Sequence, residues 1–321
     1  MNAILQKITD LGVMPVIKIE PLECAVPLAT ALRKGGLNAL EVTVRNDVAL
    51  EAIRAIKAKY PDMLVGAGTI TSAEKAQQAL NARADFIVAP GFNPETVRFC
   101  QAHNTLIVPG CVTPAELEQA LAFGLEVVKF FPAENYGGLK TIEMLRGPFA
   151  SIRFMPTGGI DFSNAQTYLR SSAIAAIGGS FMAKADLIKA RDWDTITRNC
   201  QRAVACVLGF ELAHVGLNCE SEQEAFDQAN AVDELFGLGV KPNDLSVFFE
   251  HSVECMKAPY YGAKGHIGFW CNNVERALAY FRARGVALHE DSIRADANGK
   301  LISFYFEEEI GGFAVHVCRR P

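Results

Sequence analysis

Residues 127–138 read VVKFFPAENYGG, and the first five form a short apolar run with one lysine, Lys129, at its centre. The run is too short to cross a membrane, and its valines and phenylalanines favour a buried β-strand. Lysine is seldom buried unless another group pairs with it or uses it. The stretch therefore predicts a core strand that carries a single ion-paired or functional amine.

Seven similar runs occur in the first part of the chain, separated by amphipathic stretches such as DVALEAIRAIKAKY and SAEKAQQALNARA. The eight predicted strands are Val13–Ile19, Ala39–Val44, Leu64–Ala67, Phe86–Ala89, Leu106–Gly110, Val127–Phe131, Arg153–Pro156 and Ile174–Gly178. Eight strand–helix units in about 200 residues predict an α/β fold of the (β/α)8 TIM-barrel type. An open doubly wound sheet is the alternative, but no GxGxxG motif follows the first strand.

The pattern changes near residue 210, where ELAHVGLNC, SEQEAFDQANAVDELFG, SVFFEH and SVECMK predict a strand, a helix and two strands. KGHIGFWC, NVERALAYFRARG, LISFYFEE and GFAVHVC repeat this order, and AHVGL returns as GHIGF 52 positions later. Such a duplication predicts a smaller α+β domain built from two βα-then-strands modules. We expect one domain over residues 1–209 and a second over residues 210–321.

The composition limits the class of protein. The formal charge of −5 without a basic block argues against nucleic acid, and no apolar stretch is long enough to span a membrane. MNAILQKITDLG lacks a signal-peptide pattern, and the nine cysteines include no CxxC pair. We therefore expect a cytoplasmic protein with reduced thiols and no nucleic-acid or membrane partner.

Strand alternation predicts which side chains meet. In ALEVTVR (residues 39–45), Glu41 and Arg45 share one face, and in VVKFF Lys129 shares a face with Phe131. A structural lysine–glutamate ion pair is one interpretation. However, burying such a pair rarely stabilises a fold relative to apolar residues, which favours a chemical role. Burial favours the neutral amine, which attacks ketones to form Schiff bases, and a nearby carboxylate can move protons.

Two glycine pairs, in PTGGI and IGGS, follow the predicted seventh strand and end the eighth. Backbone N–H groups at this position of a TIM barrel commonly hold a phosphate group. The motifs LEVTVR, VGAGT, PGCVTPAE, KFFPAE, PTGGI and IGGS also occur in this order. By these motifs, residues 5–208 resemble the KDPG/KHG aldolases, which are class I pyruvate aldolases.

The resemblance implies cleavage of 2-keto-3-deoxy-6-phosphogluconate (KDPG) to pyruvate and glyceraldehyde 3-phosphate, or of 4-hydroxy-2-oxoglutarate (KHG) to pyruvate and glyoxylate. It implies a trimer that needs no cofactor for this reaction. It makes Lys129 the Schiff-base lysine and Glu41 the general acid/base. The resemblance implies that Arg45 and Thr69 hold the pyruvate carboxylate, that Phe131 packs on the intermediate and that Thr157 meets the substrate hydroxyl region. The implied phosphate-binding residues are Gly158, Gly159, Gly179 and Ser180.

The last third of the chain holds five of the six histidines. Its duplicated modules resemble the vicinal oxygen chelate superfamily of glyoxalases and extradiol dioxygenases. This resemblance implies that His214, Glu254, His266 and His316 bind a divalent transition metal, Fe(II), Mn(II), Ni(II) or Zn(II). The alternative is that these histidines only pack in a core. The domain is then either a second, metal-dependent isomerase or dioxygenase, or a non-catalytic sensing or dimerisation module.

Overall fold

A computed structural model describes residues 2–249 and 252–320, and the chain divides into two compact units, Met1–Val207 and Leu208–Pro321. No helix in the described residues is long and apolar enough to cross a membrane. All nine cysteines lie in this described part, and none of them forms a disulfide bond there.

The first unit alternates strands with helices. Its strands are β1 (Val13–Ile17), β2 (Ala39–Thr43), β3 (Leu64–Gly68), β4 (Phe86–Val88), β5 (Leu106–Val108), β6 (Val127–Phe130), β7 (Arg153–Pro156) and β8 (Ile177–Gly179). Its helices are α1 (Ala3–Leu11), α2 (Ala25–Lys34), α3 (Ala49–Lys59), α4 (Ala73–Asn81), α5 (Pro94–Ala102), α6 (Pro114–Ala122), α7 (Gly138–Arg146), α8 (Ala165–Leu169), α9 (Ala185–Ala190) and α10 (Trp193–Leu208).

The eight strands form a closed ring. Six pair in the order β5-β4-β3-β2-β1-β8, and β6 pairs with β7. Parallel bridges from Gly110 to Lys129 and from Thr157 to Gly178 join the two sets. The ring confirms the predicted (β/α) barrel and excludes the open sheet. The eighth strand begins later than predicted, because Ile174 pairs with β7 only through an isolated bridge to Phe154.

Sequence signals account for the helix boundaries and for the core. Thr113 accepts a hydrogen bond from the Glu116 N–H while Glu116 binds back, a complete capping box in front of Pro114. Leu40 and Val42 of β2 are fully buried in the layer between strands and helices. The opposite face of β2 is therefore left to Glu41 and Thr43, inside the barrel.

A second buried lysine, Lys57 of α3, is structural. Its Nζ donates to both oxygens of Asp85 at 3.0 and 2.8 Å and to the carbonyls of Pro61 and Met63 at 2.9 Å each. Asp85 in turn accepts from the backbone N–H of Val65. Every polar atom of this pair therefore has a protein partner, and the pair ties α3 to β3.

Replacing Lys57 with methionine should lower the free energy of unfolding of the barrel by about 3 kcal/mol, because a largely buried carboxylate loses its cation. Urea titration followed by circular dichroism measures this loss. The matched control is Arg33→Met, which breaks an exposed pair with Asp62 and should have a much smaller effect. Equal effects of the two substitutions would contradict the structural role of Lys57.

In its described residues, the second unit is one eight-stranded sheet with two helices. Its elements are β9 (Glu211–Asn218), α11 (Glu222–Phe236), β10 (Val240–Pro242), β11 (Ser246–Phe249), β12 (Val253–Met256), β13 (Gly265–Cys271), α12 (Val274–Ala283), β14 (Leu288–Ala295), β15 (Leu301–Phe306) and β16 (Phe313–Arg319). The strand order is β10-β11-β12-β9-β13-β16-β15-β14. Each half is a βαβββ module, and the first strands of the two modules, β9 and β13, pair antiparallel at the centre.

Two strands of this unit have no counterpart in the sequence prediction. β10 and β14 are the edges of the sheet, and two of the three side chains of β10 and four of the eight of β14 are exposed. Their sequences therefore lack the apolar alternation that marks a half-buried strand. The predicted strand SVFFEH is observed up to Phe249, and its last two residues lie outside the described residues.

Candidate active site

Lys129 and Glu41 meet inside the barrel. The Lys129 Nζ lies 3.2 Å from Oε1 and 3.5 Å from Oε2 of Glu41, across the space between β6 and β2. Their side chains are 7% and 1% exposed. A Cβ atom on Gly68 of β3 would lie 2.1 Å from Glu41 Oε1. The glycine at this position is therefore what leaves room for the carboxylate.

A cavity of about 360 Å³ opens beside this pair. Phe131, two residues after Lys129, and Thr43, two residues after Glu41, line this cavity. Because side chains two residues apart on a strand share a face, the ion pair lies one layer of side chains deeper in the barrel. The Lys129 Nζ is 5.4 Å from the centroid of the Phe131 ring. The predicted residues that line the cavity are Arg45, Phe131, Thr157, Gly158, Gly159, Gly179 and Ser180.

Arg45 and Thr69 meet where β2 and β3 end. The Arg45 Nε donates to Thr69 Oγ1 at 3.1 Å. Thr69 has a φ of +64°, a region that costs a β-branched residue strain and is often found at functional sites. Thr157, after β7, has a buried hydroxyl without a hydrogen-bond partner among the described residues. A hydroxyl or carboxylate of a bound molecule would satisfy it.

Glycines form the rim of the cavity. Gly158 and Gly159 have φ values of +97° and +77°, which other residues rarely adopt. Their carbonyls accept hydrogen bonds from the Glu134 N–H at 3.2 Å and from Asn164 Nδ2 at 2.9 Å. These contacts fix the loop in place. The rim brings both predicted glycine pairs to one cavity, as expected for adjacent strands.

Sequence reasoning missed one charged residue of this cavity, Lys18. It directly follows β1 and lines the cavity. Its position at the carboxyl end of a barrel strand was the available signal, because TIM-barrel active sites lie at that face. A single lysine after a strand, however, also fits an ordinary solvated residue.

The three predicted metal-binding histidines of the second unit meet in one cluster, and Glu254 contacts two of them. His214 Nε2 lies 3.1 Å from the Nε2 atoms of both His266 and His316. Glu254 Oε2 lies 3.1 Å from His266 Nε2 and 3.4 Å from His214 Nε2. The Nδ1 atoms of His266 and His316 are buried without a hydrogen-bond partner in the described residues. The Nε2 atoms of the three imidazoles therefore converge, and these are the atoms that could bind one metal ion.

Glycines opposite the histidines make this convergence possible. In the central strand pair, Gly216 stands opposite His266, and Gly268 stands opposite His214. A Cβ at Gly216 would come within 2.0 Å of the His266 ring, and one at Gly268 within 2.6 Å of both His214 and His316. The repeated HVG and HIG therefore encode a histidine and the space for the other module's histidine.

The surroundings of His214, His316 and Glu254 favour the protonation state in which each of these three groups can bind a metal ion. Burial, and next the charges of His266 and His214, lower the pKa of His316 to about 2, and burial also lowers the pKa of His214. Burial alone would raise the pKa of Glu254, but hydrogen bonds with His266 and Ser246 hold it below its usual range. Neutral imidazoles and an ionised carboxylate are the forms that bind metal.

Comparison with known proteins identifies the first unit. A family model described as KDPG and KHG aldolase matches residues 4–199. The 2-dehydro-3-deoxy-phosphogluconate aldolase of Treponema pallidum is 44% identical over 207 residues, which are 64% of this chain and 99% of that relative.

Two crystal structures resemble the same part. The KDPG aldolase of Legionella pneumophila, with pyruvate captured as a covalent carbinolamine, is 36% identical with a TM-score of 0.61, and the match covers 62% of this chain and 97% of that one. The 2-keto-3-deoxy-6-phosphogluconate aldolase of Zymomonas mobilis with 3-phosphoglycerate is 39% identical with a TM-score of 0.60, covering 63% and 95%. Because the family model spans more than half of the residues, the chain belongs to the KDPG and KHG aldolase family.

Proposed function

We propose that the barrel, residues 1–209, cleaves KDPG to pyruvate and glyceraldehyde 3-phosphate through a Schiff base on Lys129, and that it accepts KHG as a second substrate. The observation that carries the proposal is the buried contact of 3.2 Å between Lys129 Nζ and Glu41, next to a cavity with a glycine rim. The pyruvate carbinolamine in the Legionella enzyme supports the same chemistry.

In the first half-reaction, the Lys129 amine adds to the C2 carbonyl of KDPG, and loss of water gives a protonated imine. Glu41 then takes the proton from the C4 hydroxyl. The C3–C4 bond breaks, and its electron pair moves towards the imine nitrogen to form an enamine. Glyceraldehyde 3-phosphate leaves with C4 as its new aldehyde carbon.

In the second half-reaction, Glu41 returns that proton to C3 of the enamine, which becomes the imine of pyruvate. Water then hydrolyses the imine and releases pyruvate, so Lys129 and Glu41 regain their starting forms. Within this scheme, Arg45 and Thr69 bind the substrate carboxylate, and Phe131 packs on the imine. Thr157 provides a hydrogen bond for the substrate hydroxyls.

The glycine rim is proposed to bind the phosphate through Gly158, Gly159, Gly179 and Ser180. Ser180 is exposed at the end of β8 and lines the cavity. Ser180→Asp should therefore raise the KM for KDPG about 10- to 100-fold by like-charge repulsion. Ser180→Asn is the matched neutral control. Steady-state kinetics with KDPG and KHG measure this, and an equal rise for both substrates would contradict phosphate binding at this rim.

The direct test of the proposed function is pyruvate release by the full chain, followed through a coupled lactate dehydrogenase assay, with KDPG and KHG compared at equal concentrations. We expect turnover of both, with the larger kcat/KM for KDPG, because only KDPG reaches the glycine rim with a phosphate. No pyruvate from either substrate would overturn the proposal. We further propose that the enzyme works in the cytoplasm as a homotrimer.

For the second unit we propose a vicinal-oxygen-chelate-like domain, residues 210–321, that binds a divalent transition metal. The histidine–carboxylate geometry favours this over simple packing. Nitrogen ligands about 2.1 Å from one ion lie about 3.0 Å apart at a right angle and about 3.4 Å apart at the tetrahedral angle. The contacts of 3.1 and 3.4 Å agree with these separations. His214, His266, His316 and Glu254 would hold the ion, which would supply a Lewis acid.

Chelation should separate the two units functionally. EDTA should leave pyruvate release unchanged, because the imine of Lys129 already serves as the electron sink. Adding metal at about 100 times its Kd should stabilise the second unit by about 2.7 kcal/mol, or roughly 10 °C in Tm. Trp270 is the one tryptophan of this unit, so its fluorescence in a Trp193→Phe background reports the melting.

His214→Ala should remove this stabilisation, and His103→Ala, which alters the barrel's single histidine, should not. A Tm that no divalent metal changes would make the cluster a packing feature and favour an interaction module.

A further inference from the structure

The cavity beside Lys129 contains two cations at different places on its wall. Among the described residues that line it, only Lys18 and Arg45 carry a charge. Around the barrel, Arg45 follows β2 and contacts Thr69 after β3, whereas Lys18 follows β1, whose other neighbour is β8. Lys18 therefore stands between Arg45 and the rim that Ser180 belongs to.

Lys18 forms an ion pair with the carboxylate of Glu20. Its Nζ lies 2.7 Å from Glu20 Oε2, and the two side chains are 56% and 59% exposed. Hydrogen bonding and charge from Lys18 hold the pKa of the Glu20 carboxyl below its usual range. The pair is open to solvent, so an incoming anion can replace Glu20 without unfolding anything.

We propose that Lys18 is a specificity-determining residue that binds the distal phosphate of the substrate, and that Glu20 competes with this phosphate for the lysine. This inference rests on the proposed aldolase function and names the group that selects among its substrates. A 2-keto acid with anions at both ends meets Arg45 at one end and Lys18 with the glycine rim at the other. A substrate with an uncharged tail gains nothing from Lys18.

The two residues of the pair therefore have opposite effects. Lys18→Met should raise both the KM for KDPG and the inhibition constant of inorganic phosphate about tenfold, since a charge-assisted hydrogen bond is lost. Glu20→Gln should lower both constants about twofold, because the competing carboxylate is removed. In both variants kcat should stay within about twofold, because neither residue touches the reacting carbon atoms.

The experiment measures kcat, KM and phosphate inhibition for the wild type, Lys18→Met, Lys18→Arg, Glu20→Gln and the control Glu23→Gln. Glu23 forms a comparably exposed pair with Arg191 at 3.2 Å, and its variant should match the wild type. Lys18→Arg keeps the positive charge, so its KM for KDPG and its phosphate inhibition constant should stay close to the wild-type values. Unphosphorylated 2-keto-3-deoxygluconate serves as the neutral-tail substrate, and its KM should be the same in all variants.

The inference and the function fail in different ways. If the wild type releases no pyruvate from KDPG, the proposed function is wrong. If the wild type is active and Lys18→Met leaves KM and the phosphate inhibition constant unchanged, Lys18 has no role in specificity. A rise in KM that is equal for the phosphorylated and the unphosphorylated substrate would likewise overturn the proposal.

Discussion

Lys129→Met is expected to abolish aldol cleavage, with kcat lower by about 10⁵- to 10⁶-fold, as when a serine nucleophile is removed from a protease. Without the amine no imine forms, and the C3–C4 bond has no electron sink. Methionine has a similar length and fits a site in which the Lys129 side chain is 7% exposed. The substitution also leaves the buried Glu41 carboxylate without its cation, so some loss of stability is expected. Circular dichroism checks that the variant is folded, and the loss of turnover is then assigned to chemistry.

Trapping with borohydride identifies the amine directly. Wild-type protein treated with pyruvate and borohydride should lose activity and gain the mass of one reduced pyruvyl group on the peptide that contains Lys129. Lys140→Met, which removes an exposed lysine of α7, should be trapped as efficiently as the wild type. An adduct on any other lysine, or trapping of Lys129→Met, would refute the assignment.

Glu41→Gln is expected to keep imine formation but to lower turnover by about 10²- to 10⁴-fold, the usual contribution of a positioned acid/base. Glutamine occupies the same volume and fits above Gly68, so the geometry is preserved while the proton acceptor is lost. Borohydride trapping with pyruvate should still label this variant at Lys129.

The kinetic signature distinguishes proton transfer from binding. In Glu41→Gln the loss should appear in kcat rather than in KM, because the carboxylate acts on the reacting bond. Pyruvate C3 should also exchange its protons with deuterated water far more slowly, which NMR follows. A variant with near-normal exchange and turnover would leave Glu41 only the ion-pair role that the sequence also allowed.

Strand alternation was enough to predict the inner pair of the barrel. A period of two residues places Glu41 and Lys129 on the interior whatever the exact strand ends are, so boundaries that differ by one to three residues did not matter. The position of Lys18 on the cavity wall was not predictable in this way. It depends on the closure of β1 against β8, which is a long-range pairing, and on an exposed side chain that packing does not fix.

In the second unit, too, local sequence patterns predicted some features, whereas others depend on long-range strand pairing. The spacing between His214 and His266 reveals the duplication, but their meeting depends on β9 and β13 pairing antiparallel at the centre of the sheet. No local pattern specifies that pairing. The edge strands β10 and β14 were missed because about half of their side chains face solvent, which removes the apolar alternation of a half-buried strand.

The placement of histidine opposite glycine in the central strand pair limits how the two modules can vary in sequence. Gly216 cannot gain a side chain while His266 of the other module keeps its position, because a Cβ at Gly216 would strike that ring. Each module supplies one histidine and one glycine to the central strand pair. The antiparallel pairing of β9 with β13 places the histidine of each module opposite the glycine of the other. The histidine of each module and the glycine of the other therefore have to vary together if the cluster is to keep its geometry.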